Sequence, residues 1–334
     1  MLFSHSTSSS IGDRLFVGGY FGSVGGLPIR AIAAWNGAAW TMLAQGLAQS
    51  IPGTFPKVHA LASHDDDGRG PRPPGLYVGG GFKYAGGLTV NNIARWDGAV
   101  WDTLDSGLQG TVEALGVFDV DGPGPQLPSL FAGGQFIDTS QGVFVHGLAR
   151  WDGRTWHAIP GWNNGWGKAM AVFDDDGPGP NKPALFVGGS IGSVNGILAS
   201  HIAKWDGQQW SALSGIGVFG WGGLTSVRAL AVLDEDGDGP NPGGLYVGGF
   251  FSSAGGVPAM GLARWGCPAP AQCYANCNLD FHPITGAHLL SIADFGCFQG
   301  KYVLGDVYAD CNASGTLTVA DFGCFQGKYV LGCP

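Results

Sequence analysis

Apolar residues in the first 266 positions come in short, strand-sized runs rich in β-branched and aromatic side chains, each bounded by Gly, Pro or Asp. One stretch contains four such runs, 112–118, 130–133, 147–151 and 156–159, and the pattern then begins again. The recurring phrase runs Leu-Phe-Val-Gly-Gly-x-Phe, then Ala-Gly-Gly, then Ile-Ala-Arg-Trp-Asp-Gly-x-x-Trp. Five copies are marked by the double glycines Gly18-Gly19, Gly79-Gly80, Gly133-Gly134, Gly188-Gly189 and Gly248-Gly249. Each is followed by a tryptophan, Trp35, Trp96, Trp151, Trp205 or Trp265, and the copies are spaced 54 to 61 residues apart.

Four short strands per repeat make one blade of a β-propeller, and a single blade cannot cover both of its faces, so neighbours must stack. The expected fold is therefore all-β. Trp-Asp-Gly-x-x-Trp occurs at 96–101, 151–156 and 205–210, with Asn36 replacing the Asp at 35–40. A tight hairpin there sets the two tryptophans on neighbouring strands. If the Val-x-Ala-Leu-Ala-Val run is the innermost strand, the first copy lacks it and the last copy, ending at Trp265-Gly266, lacks its outer strand. Two arrangements satisfy this: five sectors close a small ring with incomplete terminal blades, or further N-terminal blades lie outside this chain. The second is the expectation, because ring closure normally pairs strands from both ends.

Composition agrees, with 61 Gly, 12 Trp and 19 Phe against only 12% charged residues. A net charge of −9 and the lack of a basic stripe argue against nucleic acid as a partner, and no apolar run is long enough to span a bilayer. The N-terminus has neither the basic nor the apolar region of a signal peptide, so either a signal was removed or the chain is a fragment. All seven cysteines lie at or beyond Cys267, which sets off a separate C-terminal module and points to an oxidising compartment. The expected divisions are an N-terminal segment 1–13, the propeller 14–266, a Pro-Ala linker 267–272 and a module 273–334. The expected location is extracellular or at the cell surface.

The double glycine, the aromatic-Asp turn and the following Trp resemble the kelch family of propellers over roughly 14–266. That resemblance implies architecture and leaves function open, since kelch propellers host enzymes, adaptors and glycan binders. Acidic hairpins recur between the first and second strands: Asp65-Asp66-Asp67-Gly68, Asp119-Val120-Asp121-Gly122, Asp174-Asp175-Asp176-Gly177 and Asp234-Glu235-Asp236-Gly237-Asp238. They look like the Ca²⁺ hairpins of integrin-type propellers, with a solvated turn as the other reading.

Within the C-terminal module a unit ending Ala-Asp-Phe-Gly-Cys-Phe-Gln-Gly-Lys-Tyr-Val-Leu-Gly occurs twice. The second copy fits a twelve-residue Ca²⁺ loop with Asp310, Asn312, Ser314, Thr316, Thr318 and Asp321 as ligands, Gly315 at its turn and Leu317 as its apolar anchor. Asn276, Asn278, Asp280 and Asp294 would serve the longer first copy if its extra residues loop out. Paired loops of this kind, each followed by a helix, resemble the dockerin family, which implies a small α-helical module, Ca²⁺ as cofactor and a cohesin-like or surface partner. The duplication aligns Cys277 with Cys311 and Cys297 with Cys324, which gives the expected pairs Cys277–Cys297 and Cys311–Cys324. A third bridge, Cys273–Cys333, would clasp the ends, with Cys267 either free or replacing Cys273.

No catalytic constellation emerges. Gly188-Gly189-Ser190-Ile191-Gly192 matches a nucleophile elbow but occupies an ordinary repeat position, and the glycines at 215–220 lack the strand and helix of a dinucleotide site. His59, His146 and His201 lie in strand-like repeat runs without metal-ligand spacing. Aromatics outside the repeated phrase fall in the blade connectors: Phe55, Trp162, Trp166, Phe219 and Trp221. Flat rings flanked by Asn163 and Asn164 suit stacking on sugars. The reading is a non-catalytic binding or adhesion protein for an extracellular glycan or protein, with a structural surface component and a part of a polysaccharide-degrading system as alternatives.

Overall fold

The computed structural model describes residues 2–6, 14–51, 53–68, 70–122, 124–139, 141–175, 182–213, 217–220, 224–234 and 243–265. Residues 1–232 and 245–265 form one compact unit, described below, while 233–244 and 266–334 make up a second. The dockerin-like module lies outside the described residues.

Every described element is a β-strand, and the repeat maps onto five separate antiparallel sheets. In chain order the first four sheets run inner, second, third and outer strand. The second sheet, for example, consists of Lys57–His64, Gly75–Gly81, Ile93–Trp96 and Trp101–Thr103. The third follows as Leu108–Phe118, Ser129–Thr139, Leu148–Trp151 and Trp156–Ala158, and the fourth as Trp166–Phe173, Ala184–Ser190, Ile202–Trp205 and Trp210–Ala212. This is the strand order of propeller blades, although among the described residues no ladder joins the first sheet to the fifth.

One expectation fails at the N-terminus. The first repeat does have an inner strand: Leu2–Ser6, in the N-terminal segment, pairs antiparallel with Arg14–Gly18 from Leu2 opposite Gly18 to Ser6 opposite Arg14. The segment does not carry the Val-x-Ala-Leu-Ala-Val signature, so main-chain pairing alone reveals it. Among the described residues the fifth sheet has three strands, Ser226–Leu233, Gly244–Phe250 and Leu262–Trp265, and the place of an outer strand after Trp265 lies outside the described residues. His146 and His201 also depart from expectation, standing just ahead of the third strands with φ of 44° and 75°.

Second strands are buried on both faces, which is why they read as unbroken apolar runs ending in glycine. The two glycines have different duties. A Cβ on Gly79 would stand 2.6 Å from Val112 Cγ1 of the next inner strand, and one on Gly18 would stand 2.5 Å from Val58 Cγ1. Gly188 meets Val227 in the same way. The first glycine therefore admits the neighbouring sheet. The second, seen in Gly80, Gly134 and Gly189, presses on the carbonyl of Lys57, Thr111 or Trp166 in its own inner strand, where the ladder skips a residue.

The tryptophans lock the outer edge. Trp35 and Trp40, Trp96 and Trp101, Trp151 and Trp156, and Trp205 and Trp210 are direct cross-strand partners, with ring centroids 5.0–5.3 Å apart. The intervening turn is closed by its Asp or Asn, as Asp97 Oδ1 accepts from the Ala99 and Val100 amides, both at 2.8 Å. Outer-strand indoles then bind the preceding repeat: Trp101 Nε1 donates to the Leu43 carbonyl at 3.0 Å, Trp156 to Leu104 at 3.1 Å and Trp210 to Pro160 at 2.8 Å. Both rings are buried in the second to fourth sheets but only half-buried in the first, which follows no earlier sheet in this chain.

Gly79→Ala should destabilise the unit by about 1–3 kcal/mol through overpacking against Val112. The double variant Gly79→Ala/Val112→Ala should lose less than the sum of the single losses in denaturant titration; strict additivity would show that the two positions do not meet.

Candidate functional site

The sheets have chemically different ends. At one, the acidic hairpin of one repeat meets the Trp-Asp-Gly turn or the hairpin of the next: Trp151 Nε1 donates to Asp66 Oδ2 at 3.4 Å, and Lys182 Nζ to the Asp121 carbonyl at 3.1 Å. The carboxylates largely serve their own loops. Asp65 Oδ1 accepts from the Asp67 amide at 3.4 Å and Asp119 Oδ1 from the Asp121 amide at 3.3 Å. Asp67 and Asp121 each accept from an amide five residues on, Arg72 at 3.0 Å and Gln126 at 3.1 Å. Asp66 pairs with Arg72 at 3.4 Å, and Asp175 with Lys204 at 2.6 Å.

Whether a hard cation fits here is decided by the donors. Oδ1 of Asp67 and of Asp121, at equivalent places, are buried without a protein partner, which favours a cation. Yet among the described residues no three acidic, His or Cys side chains converge, so Asp119 and Asp121 would need backbone or water oxygens to complete a shell. Asp174 and Asp234 are described, whereas Asp176, Asp236 and Asp238 lie outside the described residues.

The other end is formed by the connectors. Leu47–Ala48 pairs with Tyr84–Ala85, and Val218–Phe219 with Ser253–Ala254, so connectors and second-to-third-strand loops share one surface. The link recurs as an amide donated to a connector carbonyl: Gly86 to Gly46 at 2.9 Å, Asn195 to Gly161 at 2.8 Å and Gly255 to Gly217 at 2.9 Å.

The sequence-assigned aromatics part company on this surface. Trp162 is buried at 5% exposure, packs on Trp210 at 5.1 Å and donates to the His146 carbonyl at 2.9 Å, so it is a core residue with no free face. Trp166 is half-buried as the first residue of its inner strand. Phe55 (38% exposed) and Phe219 (40%) remain accessible. Trp221 lies outside the described residues, as do Asn276, Asn278, Asp280, Asp294, Asp310, Asn312, Ser314, Thr316, Thr318 and Asp321, and Cys273, Cys277, Cys297, Cys311, Cys324 and Cys333.

Phe55 gains neighbours that the sequence did not single out. Tyr20, 67% exposed, meets it edge-on at 6.2 Å; the Arg30 guanidinium lies 4.9 Å over the Phe55 ring, and Lys57 Nζ 5.1 Å over the Tyr20 ring. Two aromatic faces and two cations thus gather on the connector surface. Tyr20 follows the first double glycine and Lys57 opens the second inner strand, but only the fold joins them.

Back at the hairpin end, His64 stacks near Tyr77 at 5.7 Å, where the third and fourth sheets carry Phe118 with Phe131 and Phe173 with Phe186. Burial lowers the His64 pKa, with Asp66 and Asp65 opposing and Arg95 assisting. A histidine whose folded pKa is lowered stays neutral further down in pH than it does in the unfolded chain, which takes up its proton near pH 6.5. Its contribution to stability is present above about pH 6.5 and lost as pH falls below that value. His64→Phe, which restores the ring pair of the sister sheets, should flatten the fall in melting temperature between about pH 6.5 and 5. An unaltered slope would assign the acid sensitivity to His59 and His201, which burial also lowers.

No family model matches the chain, and neither the curated proteins nor the solved structures contain a significant match to it.

Proposed function

We propose that the five sheets are blades of a kelch-type β-propeller in a secreted or cell-surface protein that binds an extracellular glycan or protein without transforming it. The observation that carries this reading is the exposed group of Tyr20, Phe55, Arg30 and Lys57, which brings two aromatic rings and two cations together at one surface. Sugar rings stack on such faces, and the flanking cations orient polar or acidic substituents. Tyr20→Ala/Phe55→Ala should abolish binding of the full chain to neutral glycans on an array while the melting temperature shifts only slightly, because both rings lie at the surface. Retained binding would place the ligand elsewhere.

In this proposal the C-terminal module is a dockerin-like, disulfide-stapled attachment unit that binds Ca²⁺ through Asp310, Asn312, Ser314, Thr316, Thr318 and Asp321. The near-verbatim duplication supports it. With only Asp310 and Asp321 bringing charge, affinity should be modest; Asp321→Ala should remove the tightest Ca²⁺ site in calorimetry of the full chain, and an unchanged isotherm would refute the assignment.

A further inference from the structure

The inner strands share an irregularity with chemical consequences. Their ladders to the second strands jump between Val58 and Ala60, between Val112 and Ala114, and between Gly167 and Ala169, leaving His59, Glu113 and Lys168 as bulge residues. In the fifth sheet Gly249 presses on the Ser226 carbonyl and the Arg228 amide as Gly134 presses on the Thr111 carbonyl and the Glu113 amide, so Arg228 holds the same place. A bulge turns one side chain out of the ladder, and here every such side chain is polar and titratable between small or apolar neighbours.

Because successive inner strands lie side by side, the four outliers converge. His59, Glu113, Lys168 and Arg228, with Gln135, line one open cavity of about 420 Å³. Gln135 Nε2 donates to Glu113 Oε1 at 2.6 Å, which holds that carboxylate in position. Arg228 Nε reaches Ser226 Oγ at 3.4 Å, and among the described residues no ion pair joins Lys168 or Arg228 to Glu113. Burial keeps His59 toward its neutral form, with the nearby Glu113 opposing. Two cations, one carboxylate, an amide and an imidazole thus face a space large enough for one sugar ring.

We propose that this cavity binds an acidic monosaccharide unit, a hexuronate being the class that fits. Lys168 and Arg228 take the ring carboxylate through charge-assisted hydrogen bonds, while Glu113, Gln135 and His59 exchange hydrogen bonds with the hydroxyls. The site is independent of the Tyr20–Phe55 group, so either can fail without the other.

The test is calorimetric or NMR titration of the full chain, in low salt at pH 7, with glucuronate, galacturonate, the neutral parent sugars and inorganic phosphate. Expected is saturable binding of a uronate, at least about tenfold weaker binding of its neutral parent, and a loss of at least about tenfold in Lys168→Gln and in Arg228→Gln. Glu113→Gln should not weaken the uronate as either cation variant does, because it keeps one hydroxyl acceptor and removes a like charge that opposes the sugar carboxylate. Tryptophan fluorescence confirms that each variant is folded. No uronate binding at millimolar concentration, equal binding of uronate and neutral sugar, phosphate binding as tightly as uronate, or retained affinity in the folded Lys168→Gln and Arg228→Gln variants would each overturn the assignment.

Discussion

Close approach of neighbouring sheets at the first glycine of the pair in the first four sheets is the contact from which the rest of the architecture follows. With a Cβ at Gly18 or Gly79, the inner strand of the next repeat could not seat its Val58 or Val112. Once that valine is seated, second strands are covered on both faces, and Phe16, Tyr77, Phe131 and Phe186 become fully buried. Packing at interior density then carries the register outward to the tryptophan pairs, whose indole N–H groups bind carbonyls of the preceding repeat. The sheets thus form a chain of nearest-neighbour contacts.

This dependence separates two ends with different freedoms. At the hairpin end, Asp and Gly are tied to backbone geometry: Asp97, Asp152 and Asp206 close their turns, and Asp152 is held at about pKa 2 by the Thr155 and Arg154 amides and His157, which outweigh the opposing effect of its burial. Those residues are constrained by folding. At the connector end the recurring bonds among the described residues fall on connector carbonyls, from an amide such as Gly86 to Gly46 and from an indole such as Trp101 to Leu43, and they do not themselves dictate the side chains between. Tyr20, Arg30, Phe55 and Lys57 stand where that freedom is greatest.

The inner-strand bulge links the two themes. In the second to fourth sheets the second glycine of the pair admits the bulge, and the bulge ejects one side chain from the ladder. A feature required by backbone packing therefore offers one variable position in each of the second to fifth repeats at a shared cavity. The chain has filled those positions with His59, Glu113, Lys168 and Arg228 rather than with one repeated residue.

By itself the sequence determined the all-β class, the number of repeats, the four-strand unit and the facing tryptophans, because each rests on local chemistry repeated at fixed spacing: turn-forming Asp-Gly, apolar runs and glycine where no side chain fits. Tertiary structure alone decided three things. Leu2–Ser6 completes the first sheet although it lacks the repeat's signature, since an edge strand is chosen by main-chain hydrogen bonding to Arg14–Gly18. Trp162 is core while Phe55 is surface although both are connector aromatics, because burial depends on what the next repeat places over them. The polar residue ahead of Ala60, Ala114, Ala169 and Ala229 stands in the sequence, but only the skipped ladder position turns it toward a common cavity. Sequence records what each repeat needs for itself; convergence between repeats is a property of their stacking.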